Sequence, residues 1–202
     1  MGKYNVILLN YYIVNNNQKN NFFSSEQLYI ETCKFNNLLS NALFNYYNLL
    51  NLYNINFIPF FLFKNRKNTN VKIVKKIFKK INPNLIIISK FSTVLKHGKI
   101  KYPGCDLFYN NPISRKIAST ISGYIQQYYN VRNVIKSKKI KIKYPTIVIN
   151  LCYINDNYSR QYFNTLKDRF ARALATAIKD YFHKKILEKQ DYLWMYPDPN
   201  YC

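Results

Sequence analysis

Short runs of β-branched and aromatic residues alternate along this chain with longer segments of helical periodicity, and that alternation limits the fold more than any other feature. The short runs are Tyr4 to Val14, Asn56 to Phe63, Leu85 to Ser89, Asp106 to Tyr109 and Thr146 to Tyr153. Between them the period changes to 3.6. From about Phe35 to Leu50 the residues Leu38, Leu39, Ala42, Leu43, Tyr46 and Leu49 make one stripe. In the next segment Val71, Ile73, Val74, Ile77 and Phe78 face one way and Lys72, Lys75, Lys76, Lys79 and Lys80 the other, which predicts an amphipathic, cationic helix. Pro112 and Ser114 open a third helix, continued by Ile117, Ala118, Ile121 and Ile125 towards Tyr129. The longest apolar face runs from Tyr162 and Phe163 through Leu166, Phe170 and Leu174 to Phe182, with Lys167, Arg169, Arg172, Lys179 and Lys184 mostly outside it. Strands separated by helices predict an α/β fold with a mostly parallel sheet and helices on both faces. A single domain is expected over residues 1–190, followed by an irregular tail over 191–202 that contains Pro197 and Pro199.

The 202 residues, 48% of them hydrophobic, suffice for one core. Apolar runs such as Ile55 to Phe63 and Leu85 to Ile88 fall far short of the roughly 20 residues of a membrane span, so no transmembrane helix is expected. The opening MGKYNVILLNYYIV lacks a small-residue cleavage site and runs into Asn15, Asn16 and Asn17, which reads as a first strand and a loop, not a signal sequence. Cys33, Cys105, Cys152 and Cys202 form no CxxC pair and support neither a zinc nor a disulfide framework. The first three sit in apolar elements and read as small core residues.

Charge supplies the functional constraint. The chain carries 31 Lys and Arg against 9 Asp and Glu, a net +22, with no separate basic tail to hold the excess. Such self-repulsion points to a polyanionic neighbour, and RNA is the expected partner. The expected RNA-binding residues are Lys64, Arg66 and Lys67 after the second strand, Lys72, Lys75, Lys76, Lys79 and Lys80 on the cationic helix, and Lys136, Lys138, Lys139, Lys141 and Lys143 in a basic connector or edge strand over Ile135 to Lys143, with Arg132 nearby. Catalytic signatures are missing: no GxGxxG, Walker loop, GxSxG or HExxH occurs. The two histidines, His97 and His183, lie in a polar loop and among lysines, and read as solvent or phosphate contacts. No catalytic residue, metal, cofactor or small-molecule substrate is expected. Asn, Ile, Lys, Tyr and Phe dominate, residues with AT-rich codons. With the acid deficit, this composition predicts an organelle genome, most simply mitochondrial. The missing Arg-rich import sequence then implies synthesis inside the organelle and a place in the matrix.

Two segments-based resemblances accompany this reading. The order of elements resembles zinc-dependent N-acetylmuramoyl-L-alanine amidases along most of the chain. NPNLIIISKFSTV is similar to their strand ending in a Ser-x-His-x-Asn motif. GCDLFYNNPISRKIASTISGYI is similar to the following strand and helix, and YPTIVINLCYIND to the strand that carries the catalytic Glu. Ile13 and Phe91 stand where the resemblance sets the zinc histidines and Asn150 where it sets the catalytic Glu, while Glu31 alone matches a ligand. One carboxylate does not hold a catalytic zinc that takes about three protein ligands, so this resemblance implies a pseudoenzyme. YIETCKFNNLLSNALFNYYNLL, NFIPFFLFKNRK and the NPNLIIIS to NNPIS region resemble the small-subunit ribosomal protein family numbered two, with Glu31 and Lys34 at its acid and lysine positions. That family's Trp and Gly segment, coiled-coil insertion and Gly-Asn-Asp-Asp motif are absent.

The expectation is therefore a structural rRNA-binding component of a mitochondrial ribosome, in contact with neighbouring proteins and acting by charge neutralisation without catalysis. A catalytically inactive amidase-like scaffold or glycan-binding module is one alternative. An accessory subunit of a mitochondrial respiratory complex is the other.

Overall fold

Six strands lie in one sheet in the order β2, β1, β3, β6, β4, β5. The computed structural model describes residues 4–11, 25–44, 55–62, 71–92, 102–138, 140 and 142–195. Within them the elements are β1 (Tyr4–Tyr11), α1 (Ser25–Phe44), β2 (Ile55–Leu62), α2 (Val71–Ile81), β3 (Leu85–Ser92), β4 (Cys105–Tyr109), α3 (Pro112–Ile125), β5 (Val131–Lys136), β6 (Thr146–Tyr153) and α4 (Asn157–Met195). All neighbouring strands are parallel except β4 and β6, which are antiparallel. The α/β expectation, with a mostly parallel sheet and helices on both faces, is met. The exception has a physical origin. Residues 137–145 between β5 and β6 are fewer than the dozen or more of a parallel crossover, so the chain reverses and β6 runs against β4 and β5.

Strand alternation divides the core in two. Val6, Leu8, Leu85, Ile87, Leu107, Ile147, Ile149 and Leu151 point to one side, where α1, α3 and α4 cover them in a continuous buried cluster. At its centre Tyr129 stacks on Phe170 with ring centroids 4.7 Å apart and planes 4° from parallel. Phe35 packs tilted on the same ring of Phe170, and Phe163 meets it edge-on. Ile7, Ile86 and Ile88 point to the other side and meet Phe78 of α2, with Ile142 and Tyr144 of the connector packed alongside. This second core is much smaller.

Local chemistry fixes the helix ends. Asn111 caps α3 through the Ser114 backbone N–H, Ser114 reaches back to the Asn111 N–H, and Pro112 sits in the first turn. At the end of α2, Asn82 takes a left-handed φ of 48° and its N–H donates to the Phe78 carbonyl at 2.9 Å. Asn5 then ties the helix to β1, its Nδ2 donating to the Ile81 carbonyl at 2.8 Å. Gly104 is required where β4 begins: its φ is +147°, and a Cβ there would lie 2.3 Å from the Asn130 carbonyl oxygen.

Several boundaries differ from the sequence expectation. Helix α1 runs from Ser25, so it extends ahead of the apolar stripe that begins near Phe35. Strand β3 runs on to Ser92, and the edge strand is Val131–Lys136, four residues ahead of the connector or edge strand expected from Ile135. Helix α3 stops at Ile125, where a turn brings Tyr129 under the sheet and its hydroxyl donates to the Leu151 carbonyl at 3.0 Å. Helix α4 continues to Met195, so residues 191–195 are helical where an irregular tail was expected. Residues 12–14, 45–50 and 196–202 of the expected first strand, first helix and tail lie outside the described residues. Among the described residues no helix is long and apolar enough to cross a membrane.

Candidate functional site

A cavity of about 290 Å³ opens at the carboxyl ends of β3 and β6, between the starts of α1 and α4. Each wall follows from a local pattern. Gln27 and Glu31 are one helical turn apart and share a face of α1. Phe91 lies on the helix-covered side of β3, in phase with Leu85 and Ile87, and its ring meets Phe163 of α4 edge-on at 5.3 Å. On β6 a bulge between Asn150 and Tyr153 inserts one residue relative to β3, which turns Cys152 to the helix side beside Leu151. Asp156 then caps α4, its carboxylate accepting from the Ser159 N–H at 2.7 Å. This start places Arg160, Phe163 and Asn164 over the cavity.

The charges of the cavity are already engaged. Glu31 accepts from Lys34 Nζ at 2.7 Å, and an Arg160 guanidinium N–H donates to Asn157 Oδ1 at 2.8 Å. Cys152 is fully buried, and burial pushes its thiol up to about 12 against the opposing pull of Arg132 and Arg160. It is therefore a neutral thiol, and the thiolate is the form that ligates metal or attacks carbon. Phe91 has no donor atom. Glu31 and Cys152 are the cavity's metal-capable types, and among the described residues no group of three or more His, Cys, Asp or Glu comes together. The described residues of this cavity do not by themselves fit a catalytic zinc, which takes about three protein ligands.

Asn150 belongs to a different cluster, on the opposite side of the sheet from Ile149 and Leu151. Its Nδ2 donates to Asp106 Oδ2 at 3.2 Å, while its Oδ1 is buried without a partner. Asp106, 3% exposed, is the one buried charged residue among those described. Arg132 donates to its Oδ2 at 2.5 Å and Asn133 to its Oδ1 at 2.8 Å. The Arg132 guanidinium also lies 4.4 Å from the centroid of the Tyr153 ring.

The structure distributes the expected RNA-binding residues unevenly. Lys76, Lys79 and Lys80 are exposed on α2, and Lys136, Lys138 and Lys143 are exposed on β5 and the connector. Arg132 is the exception: its side chain is 14% exposed and bonded inside the fold to Asp106. Lys72 and Lys75 lie on α2, but their side chains, like Lys64, Arg66, Lys67, Lys139 and Lys141 altogether, lie outside the described residues. So do Ile13 and His97. Sequence reasoning reached Glu31 and Phe91, which share the cavity. It missed Gln27, Arg160 and Asn164, whose one signal is their spacing on two helices that only the fold brings together.

No family model matches the chain, and no curated protein matches it. Solved structures do. An N-acetylmuramoyl-L-alanine amidase from Clostridium difficile 630 is 15% identical, with 91% of this chain and 98% of that one covered and a TM-score of 0.63. The amidase AmiC2 of Nostoc punctiforme is 13% identical over 90% of this chain and 98% of its own, with a TM-score of 0.62. The CwlD amidase from Clostridioides difficile, solved in complex with the GerS lipoprotein, is 17% identical over 90% of this chain and 99% of its own, with a TM-score of 0.60. The chain has the amidase fold at low sequence identity. Nothing in these likenesses supports the resemblance to the ribosomal family.

Proposed function

We propose that this chain is a catalytically inactive amidase-like module that works by binding as a scaffold or glycan-binding unit. One observation carries the reading: the cavity on the amidase-like scaffold holds Glu31 beside Phe91 and a protonated Cys152, a set unable to retain a catalytic metal. Without a Lewis acid or a thiolate, an amide carbonyl placed there meets no activated nucleophile. The test is incubation of the full chain with zinc and peptidoglycan sacculi, reading both soluble muropeptides and protein in the pellet. No muropeptide release above the protein-free blank is expected, together with no stoichiometric zinc after gel filtration. Release that disappears in Glu31→Gln would overturn the reading.

A second reading, RNA binding within a mitochondrial ribosome, is favoured by the net charge of +22. It expects co-sedimentation of the native chain with a ribosomal subunit, abolished by RNase. Co-migration with a membrane complex and indifference to RNase would instead favour a respiratory accessory subunit.

A further inference from the structure

We propose that α2 and the connector after β5 form one phosphate-binding face that seats an RNA backbone, an inference that rests on the RNA-binding reading and gives it a surface. The two segments are far apart in sequence but cover the same side of the sheet. Phe78 of α2 meets Tyr144 of the connector edge-on at 6.3 Å, and Ile77, Ile81 and Ile142 pack around the same small core. Lysines of both are thereby brought to one side: Lys76, Lys79 and Lys80 on the helix and Lys138 and Lys143 on the connector, all exposed, whereas Lys136 pairs with Tyr109 at the end of β5, in phase with Val134 on the other side.

Acid placement makes this face one-signed. Twenty of the 31 Lys and Arg lie between Lys64 and Lys143, and the only acid in that stretch is Asp106, which is buried against Arg132. The other described acids lie on α1, on α4 or at its cap, and those helices cover the opposite side. Two of the three ion pairs among the described residues are there, Lys34 with Glu31 and Lys179 with Asp180. Charges of one sign on a shared surface sum to a field that attracts a phosphate backbone, each neutralised phosphate releasing counterions.

Two further features select RNA over a lipid surface. A helix that binds in a bilayer interface keeps its apolar face for the acyl chains. In α2 that face is already used, with Phe78 only 4% exposed against the sheet. The end of the connector from Ile142 onward is also held in shape beforehand: Asn110 Nδ2 donates to the Ile142 and Tyr144 carbonyls at 2.7 and 2.8 Å, and its Oδ1 accepts from the Thr146 N–H at 2.9 Å. A backbone already ordered loses little entropy on binding.

The test measures affinity of the full chain for a labelled RNA duplex of about 16 base pairs between about 50 and 200 mM KCl. Three variants are compared: K76Q/K79Q/K80Q, K138Q/K143Q, and R169Q/R172Q/K184Q on α4, each checked for folding by circular dichroism. Each of the first two is expected to flatten the slope of log K against log salt by about two to three, while the α4 triple changes it by less than about one. In the wild type, bound RNA is expected to protect Lys76, Lys79, Lys80, Lys138 and Lys143 from acetylation and leave Lys184 reactive. Equal slope changes in all three variants, or protection of Lys184 alone, would overturn the surface while leaving RNA binding intact. Tighter binding to phosphatidylcholine vesicles containing cardiolipin than to RNA, lost in the α2 triple, would assign the face to a membrane. A wild type that binds no RNA at any salt would overturn both this surface and the RNA reading, without touching the inactive-amidase reading.

Discussion

The two sides of the sheet are built from the same strands yet use their residues for opposite ends. On one side α1, α3 and α4 bury aromatic and aliphatic side chains in a continuous core around Phe170 and Tyr129. On the other, α2 and the connector bury only a small cluster around Ile7, Ile86, Ile88 and Phe78, and turn outward a set of lysines with no acid among them. Burial is thereby concentrated on one side of the sheet, and lysines without an exposed acid beside them on the other. The large core supplies burial at about 25 cal/mol per Å² of apolar surface, and the thin side carries the charge.

The sharpest way to break this contrast is a matched pair of truncations. Phe170→Ala empties a fully buried site stacked on Tyr129 and is expected to cost about 5 kcal/mol, the upper end for such changes, whereas Phe78→Ala on the thin side is expected to cost about 3. Urea denaturation of both decides it, and equal losses would dissolve the distinction. Asp106→Asn comes next, because it leaves the largely buried Arg132 charge without its carboxylate. A loss of about 3 kcal/mol is expected in the same assay.

Alkaline stability tests the large core from another direction. Burial raises the Cys152 thiol from 9.0 to about 12 and raises Cys105 further. Above pH 9 the unfolded chain therefore loses thiol protons that the folded chain retains, and stability falls as pH rises from 9 towards 12, with no such loss below 9. The melting temperature should fall less steeply over that range in Cys152→Ala than in the parent. The smallest effect belongs to the charged face: Lys76→Gln, Lys79→Gln and Lys80→Gln are each expected to change stability by at most about 0.5 kcal/mol in either direction. A large loss from any of them would mean that the thin side depends on its lysines for cohesion.

The sequence made these two sides legible to different degrees. Helix α2 stood out because Val71, Ile73, Val74, Ile77 and Phe78 repeat at helical spacing against a lysine background, and Thr146 to Tyr153 stood out because its β-branched run is bounded by Pro145. Strand β5 did not, because VRNVIK mixes charge and apolar residues as an edge strand does, and its pairing comes from β4, not from its own pattern. The apolar stripe of α1 begins only near Phe35 because Gln27 and Glu31, in its first turns, face the cavity. Of the site, Glu31 and Phe91 could be found by position along a familiar order of elements. The pairing of Asp106 with Arg132 could not, since it depends on the register shift between Cys105 and Asp106 on β4 against β5, a property of the assembled sheet.

The strand order also dictates a sequence of events during synthesis. β3 is complete at Ser92, and one of its edges pairs with β1, but its other partner, β6, begins only at Thr146. Until those later residues leave the ribosome, an apolar strand edge at Ile86 to Ser89 has no ladder partner, and such edges recruit other chains. The hydrogen bonds between β3 and β6 are the seam that joins the two half-sheets. A nascent chain halted before Thr146 presents that seam open, which makes completion of translation itself a safeguard against aggregation for this protein.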